Sequence, residues 1–432
     1  MGGEPAMTSK PRSSRTVESL EGLSRLGPGL ITGAADDDPS GIATYSQAGA
    51  LAGFGVLWTV VLTLPLMVGI QTVSARVGCI THRGLAANLI KVYPKSLIGM
   101  AVVLLLLANI FNIAADLNAM GACARMVLGG STYVYLVAFG ILSLILQIWV
   151  PYKQYIRVLK WLTLSLFAYV ATLLTIKTPW WDVARAVALP HLHWSKEYLT
   201  LIVAIFGTTI SPYLFFWQSA NEVGEAKDRG DTKRVTIPAK AMANFRRINL
   251  DTWVGMGLSN LIAFCIMVTT AVVLHMHGET SIQTTEQAAA ALKPIAGDLA
   301  FALFSLGIIG AGMLALPVLA GSAAFAVSDV FGWRSGLDYL LHQARAFYLV
   351  LAAAMVAGIV LCLTNLDPIK ALLWSAVING VVAVPMMALM MAVSQRHDIM
   401  KKFVVSGIVA WFGWGATGAM TIVVIGMIST LF

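Results

Sequence analysis

The sequence has few charged residues and few cysteines. Asp, Glu, Lys and Arg make up 12% of its 432 residues, whereas a soluble globular protein carries about 25%. The four cysteines have no paired spacing, so neither a disulfide framework nor a cysteine metal cluster is expected. With 58% hydrophobic residues and a mean hydropathy of +0.78, the composition predicts an all-α polytopic membrane protein whose surroundings are the lipid bilayer.

The sequence also lacks the motifs of enzymes and of ATP-driven pumps. Its polar loops are short and contain no phosphate-binding glycine loop, catalytic triad or cofactor motif. We therefore predict a secondary transporter that is not an enzyme and needs no cofactor. Residues 1–26 are polar and basic without an apolar signal region, and we expect them to form a disordered cytoplasmic tail.

Apolar runs separated by helix breakers predict eleven membrane spans. They lie near residues 27–52, 54–79, 96–127, 132–150, 155–176, 199–221, 248–275, 297–328, 343–363, 368–393 and 403–431. With the N-terminus inside, 23 of the 29 Lys and Arg residues fall on the cytoplasmic side, and this positive-inside distribution places the C-terminus outside. The net charge of +8 thus indicates topology and not nucleic-acid binding.

Two of these spans are interrupted near their middle. The first contains GAADDDPSGIAT (33–44), and the sixth contains FGTTISPYLFFW (206–217). Proline removes a backbone donor, and free backbone groups within a membrane are tolerated only where they line a protein cavity. Because the breaks lie five spans apart, we predict two inverted five-helix repeats with a substrate site at mid-membrane between helices 1 and 6.

The resulting division of the chain has five parts. We predict the tail (1–26), a first five-helix repeat (27–176), an extracellular loop (177–198), a second and inverted five-helix repeat (199–393), and a cytoplasmic loop with an eleventh helix (394–432).

Three adjacent aspartates precede the first proline. An aspartate in mid-span costs about 2.5–3.5 kcal/mol on insertion scales, so an intramembrane acid is expected to be functional. Neighbouring helical residues point about 100° apart, so all three cannot face one site. We predict that Asp38, beside the break, reaches the substrate, while Asp36 and Asp37 line the vestibule or set its negative potential.

The residues next to the second break have oxygen-bearing side chains. Thr208 and Thr209 offer hydroxyls and carbonyls, Ser211 a hydroxyl and Tyr213 a phenol, with no Cys, His or Met close to Pro212. Such ligands suit hard cations, and few protein ligands around one carboxylate suit Mg²⁺, which retains its water. The alternative is that both prolines are ordinary kinks, with the Ser211 and Thr208 hydroxyls bonded back to the backbone.

The segments 27–50 (GPGLITGAADDDPSGIATYSQAGA) and 206–220 (FGTTISPYLFFWQSA) resemble the first and sixth helices of the Nramp family of divalent-metal transporters. The resemblance implies a LeuT-like fold of two inverted five-helix repeats plus extra helices, here an eleventh, and metal uptake coupled to protons. It also implies that Asp38 binds the metal and that Ala35 and Thr208 present backbone carbonyls to it.

The sequence departs from that family at other ligand positions. Gly41 stands in place of the family's asparagine, Ser211 in place of methionine and Tyr213 in place of histidine. The third helix keeps an aspartate, Asp116, but has Ala119 in place of glutamate. Losing the thioether removes the preference for soft metals, and losing His and Glu removes groups for proton coupling. This pattern is similar to the divergent Nramp-related branch that transports magnesium.

Two further polar residues lie within the predicted spans. Asp116 is a candidate proton or vestibule group, with an ion pair to Arg125 as the alternative. Asn379 in the tenth span is expected to face the site or a hydrated ion, or else to make a hydrogen bond between helices.

The predicted function is a secondary transporter or facilitator in the plasma membrane. It moves a hard divalent cation, Mg²⁺ with Mn²⁺ also accepted, by alternating access and without tight proton coupling. The alternatives are a proton-coupled Mn²⁺ or Fe²⁺ symporter, a LeuT-fold carrier of an organic cation held by Tyr213, Trp217 or Trp374, and a transport-dead membrane sensor. The sequence indicates no particular oligomeric state.

Overall fold

The computed structural model describes residues 28–150, 154, 166–190, 194–228, 230, 237–282, 285–293, 297–364 and 367–430. Within these ranges the chain forms seventeen α-helices and no β-strand. In chain order the helices are α1 Pro28–Asp36, α2 Pro39–Ala52, α3 Trp58–Thr81, α4 Leu85–Leu89, α5 Lys95–Leu128, α6 Thr132–Trp149, α7 Phe167–Thr175, α8 Trp180–Ala188, α9 Lys196–Thr209, α10 Pro212–Asp228, α11 Pro238–Val273, α12 Thr285–Ala290, α13 Ala300–Phe331, α14 Arg345–Cys362, α15 Pro368–Ser394, α16 His397–Met400 and α17 Gly407–Ser429.

Nine stretches of the described residues are helical, long and apolar enough to cross a membrane, counting α9 and α10 together. Two predicted spans are not among the nine. The first consists of two halves of 9 and 14 residues, α1 and α2, and the fifth is described only from residue 166 onward. The all-helical, polytopic architecture predicted from the apolar runs is therefore confirmed.

Large apolar side chains cover the outside of the helix bundle. Leu107, Val134, Leu349 and Trp411 are each more than half exposed. In water such a surface promotes aggregation, whereas in a bilayer it lies against lipid tails. Many polar side chains are instead buried between the helices, and several of them surround the two breaks.

The first span is broken where the sequence predicts. α1 ends at Asp36 and α2 begins at Pro39, so Asp37 and Asp38 lie between the two halves. Pro39 occupies the first turn of α2, where its missing N–H has no helical partner to lose. Asp38 is the N-cap of α2, with an extended backbone (φ −72°, ψ 169°), and aspartate is a favoured residue at that position.

The sixth span is broken in the same manner. α9 ends at Thr209 and α10 begins at Pro212, so Ile210 and Ser211 form the break. The Ile210 N–H still closes the last turn of α9 by donating to the Phe206 carbonyl at 2.8 Å. The interruption is therefore confined to two residues, as it is in the first span.

The helix α1 packs closely along α11. A Cβ atom added to Gly33 would lie 2.3 Å from the Gly255 carbonyl carbon, so only glycine permits this approach. One turn earlier, the Gly29 N–H donates to Asp251 Oδ2 at 2.7 Å. Contacts at steps of four residues on both helices fix the first half of the broken span against the bundle.

Some boundaries differ from the predicted ones. α11 begins at Pro238, ten residues before the predicted start of the seventh span, because the helix continues into polar residues that hydropathy does not detect. The predicted extracellular loop contains the helix α8, Trp180–Ala188. The predicted tail, residues 1–26, and residues 155–165 of the predicted fifth span lie outside the described residues.

Candidate functional site

The Asp38 carboxylate lies at the first break and is buried, with 1% of its surface exposed. Its Oδ1 accepts hydrogen bonds from the Ser40 hydroxyl and the Gly41 N–H, both at 2.7 Å. Its Oδ2 accepts one from the Tyr213 hydroxyl at 3.1 Å. Tyr213 lies in the first turn of α10, so this last hydrogen bond joins the two breaks directly.

The charge of Asp38 is not neutralised by a basic side chain. Among the described residues, no Lys, Arg or His forms an ion pair with it. Its three hydrogen-bond donors are a hydroxyl, an amide and a phenol, which stabilise a carboxylate without cancelling its charge. A buried carboxylate with only neutral partners attracts a cation.

Each proline frees one backbone carbonyl at the end of the preceding helix. In a helix the carbonyl of residue i accepts from the N–H of residue i+4, and proline has no N–H. Pro39 is four residues after Ala35, and Pro212 is four residues after Thr208. Ala35 and Thr208 are both buried in the last turns of α1 and α9. The two candidate ligand carbonyls therefore occupy matching positions at the two breaks.

Oxygen atoms from both broken spans converge beside Gly41. A Cβ atom placed on Gly41 would lie 3.1 Å from Thr208 Oγ1, 3.3 Å from the Asp36 carbonyl oxygen and 3.5 Å from Asp38 Oδ1. The Thr208 hydroxyl is buried and has no hydrogen-bond partner among the described residues. Because Gly41 has no side chain, nothing at that position covers these three oxygens.

The Ser211 and Thr209 hydroxyls have partners in the protein. Ser211 Oγ lies 2.9 Å from the carbonyls of Gly207 and Thr208, and its single hydrogen goes to one of them. For Ser211, the predicted alternative of bonding back to the backbone is therefore present, although the oxygen lone pairs remain available. Thr209 Oγ1 lies 3.0 Å from the Tyr45 hydroxyl, which links α9 to α2.

Asp36 and Asp37 face a different helix from the one that Asp38 faces. Ser259 Oγ of α11 lies 2.9 Å from Asp36 Oδ2 and 2.9 Å from Asp37 Oδ1. Both carboxylates are buried and contact α11. That they line the vestibule or set its negative potential stays a prediction. Within the described residues no three acidic, His or Cys side chains converge on one metal position. Asp36 and Asp37 share the Ser259 hydroxyl, whereas Asp38 contacts Tyr213.

Asp116 and Asn379 lie buried in α5 and α15. Neither carboxylate oxygen of Asp116 has a hydrogen-bond partner among the described residues. Arg125 is exposed and makes no ion pair with Asp116, so the structure does not support that alternative. Asn379 Oδ1 accepts a hydrogen bond from Asn112 Nδ2 at 3.0 Å, which is the contact between helices predicted as its alternative role.

Several residues near the site were not predicted from the sequence. Asp251 and Ser259 contact α1 from α11, and Tyr45 contacts α9 from α2. Asp251, Gly255 and Ser259 recur every four residues in α11. That spacing marks one helix face and is the signal by which they could have been found.

The match to a known family extends over nearly the whole chain. The profile of the Nramp family, described as natural resistance-associated macrophage protein-like, matches residues 29–430. The chain belongs to the Nramp family. A relative named divalent metal cation transporter MntH, from Acidiphilium cryptum (strain JF-5), is 26% identical over 417 residues, which cover 94% of this chain and 89% of the relative.

Solved structures with low sequence identity share the fold. The Eremococcus coleocola manganese transporter, in complex with an aromatic bis-isothiourea substituted compound, superposes with a TM-score of 0.75 at 17% identity, covering 98% of this chain and 88% of the other. Mhp1, a nucleobase-cation-symport-1 family transporter in a closed conformation, gives a TM-score of 0.52 at 14% identity, covering 94% and 90%. These neighbours confirm the predicted LeuT-like fold.

Proposed function

We propose that this Nramp protein moves a hard divalent cation, Mg²⁺ with Mn²⁺ also accepted, across the plasma membrane by alternating access. The observation that carries the proposal is the convergence of three oxygen atoms beside Gly41, from the Asp38 carboxylate, the Thr208 hydroxyl and the Asp36 carbonyl. All three are oxygen donors, which hard cations prefer. The name of the MntH relative, a divalent metal cation transporter, supports the cation class.

Each residue of the site has a distinct role in this proposal. Asp38 supplies the charged ligand. The Thr208 hydroxyl and the carbonyls of Ala35, Asp36 and Thr208 supply neutral ligands, and the lone pairs of the Ser211 hydroxyl complete the protein shell. Bound waters fill the remaining positions, which suits Mg²⁺ because it gives up water reluctantly. The absence of a side chain at Gly41 leaves the oxygen atoms beside it uncovered.

The proposed topology places the N-terminus in the cytoplasm and the C-terminus outside. Movement of the half-helices at the two breaks would expose the site to one side and then to the other. The membrane potential contributes about 2.3 kcal/mol per elementary charge per 100 mV, so roughly twice that for a divalent cation. This energy drives entry without a coupled proton.

Weak proton coupling is the part of the proposal that distinguishes this protein from a symporter. The aromatic residue after Pro212 is Tyr213, whose hydroxyl donates to Asp38 and which, unlike histidine, does not titrate near neutral pH. We expect reconstituted protein in liposomes with an internal pH dye to take up Mg²⁺ without internal acidification. Acidification that follows metal entry would favour a proton-coupled Mn²⁺ or Fe²⁺ symporter.

An organic cation is a weaker candidate for the substrate. The Trp374 side chain is 51% exposed on the outside of the bundle, and Trp217 packs edge-on against Phe325 with 6.0 Å between ring centroids. Of the three aromatic residues predicted to hold an organic cation, Tyr213 is therefore the one that contacts Asp38 at the break. Calorimetry that detects binding of an amine but neither Mg²⁺ nor Mn²⁺ would favour this alternative.

A transport-dead sensor is the remaining alternative. It predicts that cells carrying the Asp38→Ala variant keep the wild-type phenotype, because a sensor of this kind needs no transported ion. Our proposal predicts that the same variant fails to take up Mg²⁺ and fails to complement a strain that lacks its own Mg²⁺ uptake.

A further inference from the structure

A stripe of polar side chains runs along one face of α5. Asn109, Asn112 and Asp116 are spaced by three and four residues, which places them on the same face of a helix. All three are fully buried. They span about 10 Å along the helix axis at 1.5 Å per residue, in a segment whose other residues are mostly apolar.

The two asparagines tie α5 to two neighbouring helices. Asn109 Nδ2 donates to the Leu319 carbonyl and to the Ser322 hydroxyl of α13, both at 2.9 Å. Asn112 Nδ2 donates to Asn379 Oδ1 of α15. The stripe therefore lies in the interior of the bundle, between α5, α13 and α15, and does not face lipid.

Most of the acceptor oxygens on the stripe have no partner among the described residues. They are both carboxylate oxygens of Asp116, Oδ1 of Asn112 and Oδ1 of Asn109. The Asn109 orientation is fixed because its amino group donates to a carbonyl. If the Asn112 and Asn379 amides are both turned over, one oxygen and one amino group of that pair still lack a partner.

Acceptors therefore exceed donors along this stripe. Four oxygens of the stripe lack a partner, whereas Asn379, which contacts Asn112, has a single unpartnered amino group, Nδ2. Buried polar atoms need partners, since an unsatisfied one costs about 1–3 kcal/mol. A cation with some of its water satisfies several acceptors at once and is attracted by the Asp116 charge, which suits oxygen-rich sites of this kind.

The upper end of the stripe adjoins the proposed substrate site. Asp116 lies beside the backbone of Ser40, close enough to Asp38 for the two carboxylates to repel each other, and a cation near them offsets that repulsion. From there the stripe descends toward the N-terminal end of α5, which the predicted topology places on the cytoplasmic side. A cation that leaves Asp38 thus meets Asp116 first and then the Asn112 amide.

We propose that this stripe is a second binding position for the transported divalent cation in partly hydrated form. The Asp116 carboxylate supplies its charge, and the amide oxygen of Asn112, one helical turn away, supplies a neutral ligand. This inference rests on the proposed function, because it assigns a further position on the route of the same ion. The second position shortens the step between Asp38 and the cytoplasmic side.

The test is the number of Mn²⁺ ions bound per chain, measured on the full-length purified protein by electron paramagnetic resonance of free Mn²⁺. We expect two bound ions for the wild type and one for Asn112→Leu, which replaces the amide with an apolar side chain of similar size. Asp38→Asn should also retain one. The matched control is Gln147→Leu, because Gln147 is likewise buried with an unpartnered oxygen but lies on α6 and donates to Ser143 of its own helix.

The outcomes separate this inference from the proposed function. One ion in the wild type, lost in Asp38→Asn and retained in Asn112→Leu, would overturn the second position and leave the proposed function standing. No bound Mn²⁺ or Mg²⁺ in the wild type would overturn both. If Asn112→Leu does not fold, anomalous scattering from Mn²⁺ in wild-type crystals decides the question, since a peak beside Asp116 and Asn112 is expected and its absence contradicts the inference.

Discussion

The two helix breaks share a backbone design but differ in chemistry. Each has a proline four residues after a buried carbonyl, Ala35 in one and Thr208 in the other. The first break also carries Asp38, whereas the second carries only hydroxyls and a phenol. In the proposed site, the repeated feature would supply neutral carbonyl ligands, while the charge comes from one break alone. Substitutions that alter one break at a time therefore separate the effect of backbone geometry on ion binding from the effect of charge.

The largest effect is expected at Asp38, which caps α2 and supplies the only charge of the proposed ligand set. Asp38→Asn keeps a favourable N-cap but removes the charge. We expect Mg²⁺ affinity measured by calorimetry to fall about 100-fold, or ~3 kcal/mol, as for other buried charges that lose their partner. Ser40→Ala, which removes one cap hydrogen bond and keeps the charge, should cost less than about tenfold. Equal losses in the two variants would mean that the cap, and not the charge, matters.

The next largest effect is expected at Gly41, where both breaks contribute oxygen atoms. Gly41→Ala would place a methyl group 3.1 Å from Thr208 Oγ1 and take the room of a bound water. We expect initial Mg²⁺ uptake to fall about tenfold, because displacing a well-ordered water without replacing its bonds weakens binding. The control is Gly418→Ala on α17, where an added Cβ meets nothing within 4 Å. Unchanged uptake in Gly41→Ala would place the ion elsewhere.

A smaller effect is expected when either proline is replaced. Pro39→Ala and Pro212→Ala each restore an N–H that can bond to the carbonyl four residues earlier, and so withdraw that carbonyl from the ion. We expect each to lower Mg²⁺ affinity about fivefold, comparable with the loss of one hydrogen-bond-like ligand. Similar effects at the two prolines would support the matched-carbonyl comparison. A loss at one proline only would show that a single carbonyl binds the ion.

The smallest effect on Mg²⁺ is expected at Ser211, whose hydrogen is already used by the backbone. Ser211→Ala should change Mg²⁺ uptake by no more than about threefold. Ser211→Met introduces a thioether, and we expect it to raise Cd²⁺ uptake relative to Mg²⁺, because soft ligands prefer softer metals. Competition between the two ions in the same vesicles measures the ratio. A ratio that stays at the wild-type value would place Ser211 outside the shell.

The sequence predicts the breaks well because their causes are local. Pro39 and Pro212 interrupt helices by their own covalent structure. The Asp38 side chain caps the helix that follows it by accepting from the Gly41 N–H, three residues away. The LeuT-like fold is also predicted. The apolar runs indicate the helices along the whole chain, and the resemblance at the two breaks indicates the family.

The rest of the site depends on contacts between distant parts of the chain. Ser259 meets Asp36 from a position 223 residues away, and no local pattern pairs them. Hydropathy also misses the start of α11 at Pro238, because the first residues of that helix are polar and hydropathy detects only its apolar part. The stripe of Asn109, Asn112 and Asp116 is visible as a spacing in the sequence, but its unpartnered oxygens are visible only in three dimensions.

The most direct test of the account is Mg²⁺ uptake into proteoliposomes under an inside-negative potential, with wild type and Asp38→Asn in parallel. The account predicts that the wild type accumulates Mg²⁺ and that Asp38→Asn, reconstituted to the same density, does not. Uptake of Mn²⁺ or Cd²⁺ without Mg²⁺ by the wild type would contradict a hard-cation site. Equal Mg²⁺ uptake by the two proteins would contradict the role of Asp38.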